Sequence, residues 1–157
     1  YNLIVLRLLD RELAPAGYNL TVRAVDGGRP SRSSELVLPV TIADINDHSP
    51  VFVHDHYDET VSEEAPPDTP IVRLAATDTD QGKNAIINYR IISGNADQMF
   101  KINIRTGLVS TADWLDAESK AYYSLTIAAS DQANIAVRRQ SSVRVTIRVL
   151  DANDNAP

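Results

Sequence analysis

One short string occurs twice in this chain: Asp44-Ile45-Asn46-Asp47-His48-Ser49-Pro50 returns as Asp151-Ala152-Asn153-Asp154-Asn155-Ala156-Pro157, 107 residues later. A fixed period means stacked copies of one structural unit, so the spacing sets the size of the unit before any finer reading. Two further pairs keep the same order and nearly the same spacing. Leu9-Asp10-Arg11-Glu12 matches Leu115-Asp116-Ala117-Glu118 at an offset of 106, and residues 18–26 match 123–131 at an offset of 105. The period predicts one complete unit over 48–154, the C-terminal part of a preceding unit over 1–47, and the start of the next linker at 155–157. Strands of the shorter unit are expected to lack partners, leaving an apolar face uncovered.

Between the repeated strings, apolar residues alternate: Leu20, Val22, Ala24; Leu36, Leu38, Val40, Ile42; Val72, Leu74, Ala76; Leu125, Ile127, Ala129; and Val143, Val145, Ile147, Val149. Successive side chains of a strand point to opposite faces, so period two marks half-buried strands. Turn signals at Asp26-Gly27-Gly28, Asp80-Gln81-Gly82 and Thr106-Gly107 separate them. Short strands at this spacing predict an all-β fold of antiparallel sandwiches. Pro39 cannot donate to a ladder, which places its strand at an edge or at a bulge. No helix of normal length is expected.

The chain has 157 residues, a net charge of −6 and no cysteine. An acidic surface repels phosphates, so nucleic acid is excluded as a partner. No apolar stretch is long enough for a membrane helix, so this fragment is expected to make no membrane contact. Disulfides and thiolate metal sites are excluded. Twelve of the 21 acidic residues sit in the repeated strings and turns, counting Asp78 with the turn at Asp80. Carboxylates, asparagine side chains and backbone carbonyls, with no requirement for sulfur or imidazole, are the donor set of calcium.

These strings, together with Ala76-Thr77-Asp78-Thr79-Asp80-Gln81-Gly82-Lys83-Asn84-Ala85, resemble the motifs of cadherin repeats over essentially the whole chain. The resemblance implies tandem Greek-key β-sandwiches of cadherin or immunoglobulin-like type, the first incomplete, with calcium between successive repeats. Carried over position by position, it implies that Asp10, Glu12, Asp44, Asp47, Asp78, Asp80 and Asp131 surround a junction near residue 47. Asn46 would add a side-chain oxygen, and Ile45, His48 and Asn84 backbone carbonyls. A second junction would use Glu63, Asp116, Glu118, Asp151, Asn153 and Asp154, with its other wall on a following repeat. Asp26 would face a preceding junction. Seven carboxylates at one junction repel until about three divalent cations nearly neutralise them, which turns a hinge into a lock.

The resemblance further implies extracellular material of a membrane-anchored parent, similar to the Fat, Dachsous, flamingo and protocadherin groups, whose partner is another cadherin ectodomain, homophilic or heterophilic. The alternative is a calcium-stiffened spacer with no binding face of its own. A calcium-dependent lectin-like sandwich lacks an evident aromatic platform. Catalysis by the acidic pairs is disfavoured because they recur with the repeat and lack partners of contrasting environment.

Smaller signals read as follows. His54 and His56 form a His-x-His pair on a strand face and read as exposed strand residues. Trp114 aligns with Leu8, which reads as a packing position. Glu63, after Val61-Ser62, is chosen over Glu64. Ala117 replaces Arg11 of the first unit and changes no ligand, while Gln132-Ala133 replaces Gly27-Gly28 and is expected to reshape a loop. Asn19-Leu20-Thr21 is a glycosylation sequon.

Overall fold

The alternating runs become strands in a computed structural model that describes residues 2–152. The chain divides into two units, Tyr1–Ile45 and Asn46–Pro157. In the first, β1 (Tyr18–Val25) and β2 (Ser33–Val40) form an antiparallel hairpin, with Leu20 opposite Leu38 and Val22 opposite Leu36. Both rungs lie on one face, yet Val22 is 46% and Leu36 60% exposed. Residues 3–7, Leu9 and that face, at Tyr18, Leu20 and Val40, border an apolar groove of about 340 Å³. Pro39 sits in register opposite Asn19 with no bulge, and among the described residues β2 pairs with β1 alone.

In the second unit the chain forms β3 (Val51–Phe52), β4 (His56–Ser62), β5 (Pro70–Arg73), β6 (Ala76–Thr77), β7 (Asn88–Ser93), β8 (Phe100–Ile102), β9 (Leu108–Thr111), β10 (Tyr122–Ser130) and β11 (Gln140–Leu150). One sheet has the order β4-β11-β10-β7 and another β5-β9-β8, with β3 paired to β6. The only helical element among the described residues is a 3-10 turn at Gly82–Asn84. All pairs are antiparallel except β4 with β11, which run parallel from His56 opposite Arg144 to Ser62 opposite Leu150. Alternation cannot reveal this, because both strand directions produce the same period.

The core lies between the sheets. Leu125, Ile127, Val145 and Ile147 are fully buried, and the Phe100 ring meets Tyr123 edge to face at 4.8 Å. Burying each of these aliphatic side chains stabilises the fold by roughly 1.5–3 kcal/mol. The run Val72–Leu74–Ala76 is not one strand: β5 pairs with β9 and β6 with β3, and the chain passes between them at Leu74. Leu74 is 1% exposed and its N–H donates to the Gly107 carbonyl at 3.0 Å, so alternation survives although the ladder breaks. A Cβ on Gly107 would lie 2.5 Å from the Leu74 oxygen, and φ is +67° there, so this turn requires glycine.

Two other expectations need correction. Trp114 does not pack into the core; it is 58% exposed, and the neighbouring Leu115 is buried instead. His54 lies in the bend before β4 rather than on the strand, its ring edge-on to Tyr57, while His56 pairs with Asp55.

Candidate metal centre

The repeat is visible in the hydrogen bonds of one aspartate. At the end of β1, Asp26 Oδ1 accepts the N–H groups of Gly28 and Arg32 at 3.1 and 2.8 Å, and the Asp26 N–H donates to the Arg32 carbonyl. At the end of β10, Asp131 accepts from Ala133 at 2.9 Å and Arg139 at 2.8 Å, and its own N–H donates to the Arg139 carbonyl. The change from Gly27-Gly28 to Gln132-Ala133 preserves this anchor, because neither glycine has the positive φ that only glycine adopts readily. Arg32 and Arg139 share the 107-residue offset, a repeat signal that the sequence reading missed.

Asp131 is 1% exposed. Its Oδ2 also accepts from the Asn46 amide at 2.9 Å, and Asn46 Nδ2 reaches the Val137 carbonyl. The guanidinium of Arg139 donates to the Asn46 carbonyl at 2.9 Å. With its amide nitrogen held this way, the Asn46 side-chain oxygen is buried without a hydrogen-bond partner among the described residues. A buried unpaired oxygen costs on the order of 1–3 kcal/mol unless something satisfies it.

The turn after β6 contributes next. Asp78 Oδ1 accepts the Asp80 N–H at 3.1 Å, while Asp78 Oδ2 is buried without a hydrogen-bond partner among the described residues. Asp80 has a fully buried carboxylate that accepts the His48 N–H at 3.3 Å and meets the His48 ring at 3.0 Å. Asp47 meets the same ring nitrogen at 2.8 Å. One ligand atom each of Asp47, His48 and Asp80 therefore lies within 4.8 Å of the others. The hydrogen bond to Asp80, helped by Asp47, raises the imidazole pKa above its ordinary value. The sequence reading gave His48 only a carbonyl role and missed its ring. Asn84 lies in the 3-10 turn, which is tied to the loop after Asp131 by the Gln132 N–H donating to the Lys83 carbonyl.

At the other end of this unit a second cluster forms. Glu63, 8% exposed, follows β4 and accepts the N–H groups of Ala117 and Ala152 at 2.8 and 2.6 Å, one on each oxygen. Glu64 is exposed. Asp116 caps its own turn by accepting the Ser119 N–H at 2.9 Å. Ligand oxygens of Glu63, Asp116 and Glu118 lie within 4.8 Å of one another. Asp151 is exposed at the end of β11, and Asn153 and Asp154 lie outside the described residues.

The first unit holds its acidic residues differently. Asp10 accepts the Leu13 N–H at 3.0 Å, the same turn as at Asp116. Arg11, 8% exposed, bridges Glu12 and Asp44, its Nε 2.6 Å from the Asp44 carboxylate. The second unit has Ala117 at the corresponding place, so the Arg11 guanidinium has no counterpart at that position. Ile45 is exposed.

Comparison with known proteins agrees with these features. A family model described as "Cadherin domain" matches residues 57–150. The Fat-like cadherin-related tumor suppressor homolog of Drosophila melanogaster is 43% identical over 140 residues, covering 89% of this chain and 3% of its own length. Cadherin EGF LAG seven-pass G-type receptor 3 of Homo sapiens is 44% identical over 154 residues, covering 95% of this chain and 5% of its own. The crystal structure of mouse Cadherin-23 EC22-24 superposes with a TM-score of 0.86 at 41% identity, over 94% of this chain and 46% of that one. The chain thus spans only a small part of the curated relatives it matches. It belongs to the cadherin family and is extracellular ectodomain sequence of an adhesion family, not an enzyme.

Proposed function

We propose that the chain is a stretch of adhesion rod in which calcium, bound where repeats meet, converts a flexible linker into a stiff one, and that the parent protein engages another cadherin ectodomain. Residues 48–154 would be one complete repeat and 1–47 the end of its predecessor. The observation that carries this reading is the pair of buried, unpartnered oxygens, Asn46 Oδ1 and Asp78 Oδ2, in the loops that also hold Asp80 and Asp131. Their chemistry fits a hard cation, which takes six to eight oxygens. Asp47, Asp78, Asp80, Asp131 and Asn46 would hold calcium from this unit, and Asp10, Glu12 and Asp44 from the preceding one, with carbonyls of Ile45, His48 and Asn84. Glu63, Asp116, Glu118 and Asp151 would form the near wall of the next site, with Asn153 and Asp154 as further candidates.

Bound calcium supplies charge neutralisation and rigidity. The chain's own part is to present oxygens on anchored turns, so little loop entropy is lost on binding. Calorimetric titration of calcium, with small-angle scattering of both forms, tests this. Binding on the order of 0.1–1 mM, as for extracellular modules, with a more extended particle is the expected result. Absence of binding by both this chain and a longer ectodomain segment would overturn it. Calcium-dependent bead aggregation of the parent ectodomain separates adhesion from a spacer role, which gives stiffening without aggregation.

A further inference from the structure

We propose that Asn19 carries an N-linked glycan on the outward face of the β1–β2 hairpin. In Asn19-Leu20-Thr21 the amide and the hydroxyl are two residues apart on a strand and therefore share a face. Both residues are exposed, and neither side chain has a hydrogen-bond partner among the described residues. Opposite them lie Pro39 and Val37, the latter 57% exposed. The other face of the hairpin carries Leu20, Leu36 and Leu38.

The second unit shows which face a complete repeat turns outward. The counterparts of Leu20 and Val22 are Leu125 and Ile127, both fully buried, whereas the counterpart of Asn19 is Ser124, which is exposed. A sugar on Asn19 therefore displaces no core residue, whether or not the rest of the first repeat is present.

The transfer takes place while the sequon is unpaired. From Asn19 to the end of β2 is 21 residues, which at about 5–20 residues per second takes roughly 1–4 s, whereas a hairpin closes in about 1–10 μs once complete. The co-reactant is an oligosaccharide on a polyprenyl diphosphate. The bond from sugar C1 to the diphosphate oxygen breaks, its electrons leaving with the diphosphate. A bond from C1 to Asn19 Nδ2 forms, and the proton the amide loses is taken up by the released diphosphate.

The test is glycopeptide mass spectrometry of the parent ectodomain secreted from animal cells, before and after enzymatic release of N-glycans. Most of the peptide spanning residues 19–21 is expected to carry the oligosaccharide mass, and enzymatic release should leave the Asn19 side chain deamidated to a carboxylic acid. Thr21→Ala and Asn19→Gln should each abolish the shift. An unmodified Asn19 peptide in secreted wild-type protein overturns the proposal, and this readout stands even if a variant is not secreted.

Discussion

The chain contains the same hairpin twice, once with its sandwich and once without. β1–β2 and β10–β11 share their alternation, their cross-strand register and the aspartate anchor at the turn, yet Ile127 is fully buried while its counterpart Val22 is 46% exposed. The hairpin is present in both units. Burial comes only from the opposing sheet, where Leu74, Phe100 and Val109 close the core of the second unit. The contrast extends to the acidic ends: Arg11 pairs with Glu12 and Asp44 in one unit, whereas the corresponding residue of the other unit, beside Asp116 and Glu118, is the uncharged Ala117.

The comparison can be broken most decisively in the core. Ile127→Ala should cost about 2–5 kcal/mol in urea unfolding, while Val22→Ala should stay within about 0.5 kcal/mol in this chain; equal costs would mean that the first hairpin's face is covered. Next come the backbone turns. Gly94 has φ +87° and an added Cβ would lie 2.0 Å from the Ser124 oxygen, so Gly94→Ala should destabilise by about 1–3 kcal/mol. Gly27→Gln, copying Gln132 into open space, should be neutral within about 0.5 kcal/mol. Glu63→Gln should lower stability by about 1–3 kcal/mol, because a charged acceptor of two backbone N–H groups is weakened, whereas Glu64→Gln should leave the unfolding midpoint unchanged.

The ion pairs sharpen the comparison further. On the proposed reading calcium competes with Arg11 for Glu12 and Asp44, so Arg11→Ala should tighten binding a few-fold by calorimetry, the equivalent of about 1 kcal/mol. The smallest effect concerns Lys120, which pairs with Asp97 at 2.8 Å and has Ala14 as its counterpart in the first unit. The hydrogen bond from Lys120 lowers the Asp97 pKa. A depressed carboxylate pKa contributes stability above the ordinary value, about 3.9, and loses it as pH falls through the lowered one. Asp97→Asn should therefore slightly flatten the fall in melting temperature below about pH 4.

Much of this was legible because a repeat compares the sequence with itself. The strand pairs, the turn at Gly107 and the acidic strings all announce themselves through period or composition. The parallel pairing of β4 with β11 did not, since strand direction leaves no trace in alternation. Nor did the break at Leu74, where burial continues across a change of hydrogen-bonding partner. At the candidate metal centre, the clustering of carboxylates was legible and the resemblance supplied the individual positions, while the contacts of Arg11, Arg139 and the His48 ring were not foreseen because they join segments distant in sequence. Arg139 alone had a signal, its offset from Arg32.

That parallel pair bears on how tension would pass through the repeat. β4 lies near its start and β11 near its end, so a pull on the two ends draws the strands in opposite directions along their common axis. Seven consecutive residue pairs, from His56–Arg144 to Ser62–Leu150, are then loaded together in shear. An antiparallel hairpin pulled at its open end would unzip one rung at a time. Parallel pairing makes the terminal strands of the repeat a clasp that shares the load.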